Sequence, residues 1–152
     1  MDKSWKRRVC ALLLALNLMF IWGNSLLPAE LSEGFSNWFA VQLPQWSEET
    51  EVTEEDSTVL RKVAHFTEFA ALGFLLSCLA LLNQKKWWTT LPWGAAAACI
   101  DETIQMFVPA RGPGILDVMI DVCGALAGIA ILRTGYYLYT KKKLTQYGGN
   151  HK

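Results

Sequence analysis

The stretch Arg61-Lys62-Val63-Ala64-His65-Phe66-Thr67-Glu68-Phe69-Ala70-Ala71-Leu72-Gly73-Phe74-Leu75-Leu76-Ser77-Cys78-Leu79-Ala80-Leu81-Leu82 decides the fold. Its second half is almost wholly apolar, and about 62–82 reads as one helix long enough for a bilayer, which takes roughly 20 residues. Its first two turns carry Arg61, Lys62, His65 and Glu68. Ionisable groups are costly inside a membrane and ask for a reason. Lys62, His65 and Glu68 recur every third residue and share one helix face.

Three further stretches read the same way, at about 9–27, 87–107 and 115–138. With 52% hydrophobic and 18% charged residues in 152, four such helices leave too little polar surface for a soluble fold. The expectation is one all-α domain over 1–152, a four-transmembrane-helix bundle. A rival reading makes the first stretch a signal peptide, since Lys3, Lys6, Arg7 and Arg8 precede its apolar run. The residues after it, Gly23 to Ala29, lack a clean small-x-small cleavage site. Net charge is zero, which argues against a nucleic-acid reader. The four cysteines lie within apolar stretches and read as small packed hydrophobes; no spacing among them suggests zinc.

Orientation follows from Lys and Arg near the helix ends. The N-terminal tail, the Asn83 to Lys86 connection and the tail with Lys141, Lys142 and Lys143 are basic. The 28–60 loop has no Lys or Arg and eight acids. Both termini are therefore expected in the cytoplasm and the acidic loop outside. Within that loop, Leu31, Phe35, Trp38 and Phe39 fall on one helical face, suiting a helix on the outer leaflet or against the bundle. Residues 47–57 read as solvated loop.

On this layout three segments bring polar groups to one outer level. At ~1.5 Å per residue, Glu68 lies roughly 9 Å below Lys62. Asp101 and Glu102 lie about 10–12 Å below Pro109, and Asp121 roughly 9 Å below Ile115. The expected result is an outer-facing polar pocket. Its candidate ligand-binding residues are Arg61, Lys62, His65, Glu68, Asp101, Glu102, Gln105, Arg111, Asp117 and Asp121. Five of these are carboxylates and three are fixed cations, an excess of two negatives that protons, a divalent cation or a cationic ligand would offset. Oxygen-rich ligation favours Mg²⁺, Ca²⁺ or Mn²⁺; one histidine is too few to assign a zinc site, and no metal ligand is assigned. Asp101 and Glu102 are adjacent, so one of them is expected to face away from the pocket centre. The bland reading is that these charges only pair, Lys62 with Glu68 or Arg111 with Asp117. Arg111, in a turn with Pro109, Gly112, Pro113 and Gly114, suits carboxylate or phosphate recognition. Gly124 and Gly128 permit close helix approach, more plausibly within the bundle than between chains.

Three blocks together resemble a known family: Arg61-Lys62-x-x-His65-Phe66-x-Glu68-Phe69-x-x-Leu72-Gly73, then Asp101-Glu102-x-x-Gln105-x-Phe107-x-Pro109-x-Arg111, then Asp117-x-x-x-Asp121-x-x-Gly124. Their order and spacing are similar to the VanZ-like family of bacterial integral membrane proteins. That family usually has Asn at the position of Asp121 and often Tyr at that of Phe69. The resemblance implies a Gram-positive-type cell-envelope role, and the family's namesake is associated with resistance to the glycopeptide teicoplanin. A pocket of this kind would take the drug, a cell-wall precursor or an envelope lipid. A membrane enzyme acting on an envelope lipid or glycan is the competing reading, with His65, Glu68 and Glu102 as acid–base candidates. A structural or partner-regulating protein is the third.

Overall fold

A computed structural model of the chain describes residues 2–28, 54–109 and 114–149. Four α-helices run through them: α1 (Lys3–Ser25), α2 (Glu54–Leu82), α3 (Leu91–Gln105) and α4 (Ile115–Gly149), with a single 3₁₀ turn at Trp87–Thr90 before α3. The described residues contain no strand. Residues 29–53 of the acidic loop, including the expected helix at Leu31 to Phe39, lie outside them, whereas 54–60, expected as loop, are helical.

Three segments are long and apolar enough to cross a membrane: Lys3–Ser25, Thr58–Leu82 and Ile115–Gln146. The third expected span is shorter than its apolar run. Pro92 lacks an amide proton and is tolerated only in a first helical turn, so the α-helix opens at Leu91 and Trp87–Thr90 winds as 3₁₀. Fifteen residues make ~22 Å of α-helix, below the ~30 Å hydrocarbon core. Helix α2 begins earlier than the apolar pattern, at Glu54, and α4 continues past residue 138 to Gly149.

Burial runs opposite to that of a soluble protein. Met19, Phe20, Met119 and Ile131 are more than half exposed, while Ser77, Asp101, Glu102 and Asp121 are buried. In water this would waste apolar burial and strand polar groups. In lipid it is the expected division: apolar outside, polar inside. Cys99 and Cys123 follow the outward pattern; they are exposed, not packed as the sequence suggested, whereas Cys10 is buried.

The core gathers Ile21 of α1, Phe69 and Leu72 of α2, and Ala97 and Ala98 of α3. Helices α2 and α4 form the closest pair. A side chain at Gly124 would strike the Phe66 backbone, at Gly128 that of Ala70, and at Gly73 that of Ala125. The Gly124/Gly128 face is thus consumed within the bundle. Arg7 near the start of α1 donates to the Leu82 carbonyl at the end of α2, at 3.1 and 3.3 Å, where a cation suits the open carbonyls and helix dipole. Helix α2 closes with the amides of Gln84 and Lys85 bonded to the carbonyls of Leu81 and Ala80. Gln84 takes the left-handed conformation, φ 58°, that glycine usually supplies at this point. Midway along α4, Arg133 Nε donates to Ser77 Oγ of α2 at 3.0 Å. These contacts set α1 antiparallel to α2 and α4 parallel to it, since Lys62, Phe66, Ala70 and Ser77 of α2 meet Asp117, Gly124, Gly128 and Arg133 of α4 in rising order.

Candidate polar site

This packing brings one end of each helix together. Helix α2 supplies His65 and Glu68 from one face. Helix α3 supplies Asp101, Glu102 and Gln105 near its C-terminal end. Helix α4 supplies Asp117 and Asp121, one turn apart, and α1 ends there with Asn24 and Ser25.

Asp101 is fully buried and its carboxylate is held on both sides. Ser25 Oγ donates to Oδ1 at 2.7 Å, and Gln105 Nε2 donates to Oδ2 at 2.8 Å. The second bond confirms that Asp101 and Gln105 share a face. His65 Nδ1 lies 3.9 Å from Asp101 Oδ2 and 3.9 Å from Glu68 Oε2. Asn24 Nδ2 donates to Glu68 Oε1 at 3.2 Å. Glu102 turns the other way along α3 and accepts the Gly114 amide at 3.1 Å, just before α4 begins.

Asp101 and Glu102 thus point in different directions, as their adjacency implies, yet neither faces outward from the bundle. Both are buried, at 0% and 6% exposure. Neighbouring helical residues project about 100° apart, and α3 is flanked on two sides here. Asp101 meets α1 and α2, while Glu102 meets α4.

Lys62 pairs with Asp117 at 3.7 Å, both side chains about a third or more exposed. Its partner is thus across the helix interface and not Glu68 on its own helix. Exposed pairs of this kind contribute little, about 0–1 kcal/mol. Asp121 is 2% exposed; its carboxylate makes no hydrogen bond or ion pair among the described residues. A cavity of about 20 Å³ lies at this junction, bordered by Arg61, Lys62, His65, Glu102, Gln105, Asp117, Ile120 and Asp121. Seven of the ten sequence-predicted ligand residues thus border one small polar space, and Glu68 and Asp101 adjoin it through His65. Arg111 lies outside the described residues.

Two members were missed from sequence, Asn24 and Ser25. Their signal was a polar pair closing an apolar helix at the level of the other groups. It was read only as the sequence following a candidate signal peptide. A larger cavity, of about 700 Å³, runs between α1, α2 and α3 past Leu14, Leu18, Leu76 and Trp93. Its walls carry a single charged residue, Lys85, so the chemistry belongs to the small polar space.

The family model described as VanZ/LLP1 matches residues 9–138. No curated protein and no solved structure matches the chain.

Proposed function

The chain belongs to the VanZ/LLP1 family, and from that premise we propose that this multi-pass membrane protein works in a Gram-positive-type cell envelope and lowers susceptibility to teicoplanin-like glycopeptides. Its polar cluster is the ligand site and opens to the outer face, where the drug and its cell-wall precursor target meet. The chain crosses the membrane four times, with the 3₁₀ turn and α3 as the shortest crossing. Both termini are cytoplasmic.

One observation carries this reading. Three helices deliver His65, Glu68, Asp101, Glu102 and Asp121 to one level of an otherwise apolar bundle, and α1 adds Ser25. Buried ion clusters are no better for stability than packed apolar residues of the same volume, so such a concentration supports binding. The Lys and Arg distribution supports the outward opening.

The test is teicoplanin susceptibility of a sensitive Gram-positive host expressing wild type, His65→Ala or Glu102→Gln at matched membrane levels. Wild type should protect, and each variant should lose most of that protection. No protection by wild type would overturn the proposal.

A second reading draws on the cavity wall, where Arg61 and Lys62 stand beside His65 and Glu102. Cations beside acid–base groups suit an enzyme acting on a phosphorylated envelope lipid or glycan. Turnover of isolated envelope lipids by purified protein, lost in His65→Ala, would favour it over simple binding.

A further inference from the structure

We propose that His65, Asp101 and Asp121 form a binding site for one divalent first-row cation of the Mn²⁺ type. The inference rests on reading the polar cluster as a site and adds the class of its ligand. One nitrogen or oxygen from each of the three residues lies within 4.8 Å of the other two, and all three residues are buried. They come from α2, α3 and α4, so the bundle itself assembles the set.

Three observations beyond proximity point to a cation. Asp121 is 2% exposed, faces the other two and has no hydrogen-bond or ion-pair partner among the described residues. A lone buried carboxylate is costly unless a proton or a cation completes it. Asp101 is oriented by Ser25 Oγ and Gln105 Nε2, the kind of outer hydrogen bonding that fixes metal-ligating carboxylates. The adjoining cavity of about 20 Å³, bordered by His65 and Asp121, has room for one small ion or a single water.

Charge and ligand type select the ion. Two carboxylates with neutral His65 balance a dication. Glu68 and Glu102 stand close by, Glu68 Oε2 being 3.9 Å from His65 Nδ1, and add negative potential. An imidazole with carboxylates suits Mn²⁺, Fe²⁺ or Zn²⁺ better than all-oxygen Mg²⁺ or Ca²⁺. An ion at ~2.1 Å from each atom needs a contraction of the set on the order of 1 Å.

The experiment uses the full chain purified in detergent, stripped with chelator and titrated with Mn²⁺. Free Mn²⁺ is counted by electron paramagnetic resonance. Wild type and Gly135→Ala, a substitution in open space, should bind one Mn²⁺ per chain. Asp121→Asn and His65→Gln should bind at least ~10-fold more weakly. Mn²⁺ should raise the melting temperature of wild type and not of Asp121→Asn, which separates lost ligation from lost fold. Absence of saturable binding by wild type, or undiminished affinity in folded Asp121→Asn, would overturn the site. Teicoplanin protection without Mn²⁺ binding would overturn the cation site and leave the susceptibility reading standing. Mn²⁺ binding without protection would do the reverse.

Discussion

At the scale of single residues, Ser25 shows how much rests on one hydroxyl. It is fully buried and bonds a fully buried carboxylate at 2.7 Å. A hydrogen bond to a charged group contributes about 1.5–3 kcal/mol, and its loss leaves the Asp101 oxygen without that donor. Ser25→Ala should therefore lower the melting temperature of the purified protein by several degrees, measured by thermal unfolding in detergent. Ser25→Thr, which keeps the hydroxyl, should recover part of the loss. Sequence reading found His65, Glu68, Asp101, Glu102 and Asp121 because charge inside an apolar run is conspicuous. It passed over Ser25 and Asn24 because small polar residues at a helix end are common and carry no charge. Partners were harder still: Lys62 joins Asp117 of α4, and nothing in local spacing distinguishes that from a bond within α2.

At the scale of elements, the α2–α4 contact positions His65 opposite Asp121, and glycines set its closeness. A methyl group at Gly128 would meet the backbone of Ala70 and of Phe74. Backbone cannot rotate aside as a side chain does, so the helices must part. Overpacking of this kind costs typically ~1–3 kcal/mol. Gly128→Ala should lower the melting temperature and weaken any function of the site. Gly135→Ala on the same helix, with nothing within 4 Å, should leave both unchanged. Comparing the two variants in one detergent checks the claim. The Gly-x-x-x-Gly spacing was legible, and its use inside the bundle is the reading the structure supports. Helix ends were less legible. Apolar content alone runs through 87–107 as one span, whereas Pro92 confines the α-helix to Leu91–Gln105. Helix α2 starts about two turns ahead of its apolar run, at Glu54, where the polar sequence carries no apolar pattern to mark it.

At the scale of the whole molecule, large apolar side chains such as Met19, Phe20 and Ile131 face out, while His65, Asp101, Glu102 and Asp121 are buried. The helix count and membrane class followed from composition and run length. The assembly of four helix ends into one polar cluster followed from alternating direction, which fixes which ends are neighbours. Orientation relative to the cell has its own test. With native cysteines replaced, Ser47→Cys should react with a membrane-impermeant thiol reagent on intact cells. Gln84→Cys and Thr145→Cys should react only after permeabilisation. The reverse pattern would put the polar cluster on the cytoplasmic side and remove the glycopeptide reading.

The central claim is that this cluster is kept for a ligand and not to hold the helices together. The most direct measurement is the melting temperature of Asp121→Asn against wild type, in detergent with chelator present. Asn has the shape of Asp without its charge, and Asp121 sits among Asp101, Glu102 and Glu68. The account predicts a melting temperature equal to or above that of wild type. A fall of several degrees would contradict it, because Asp121 would then be part of what holds the bundle together.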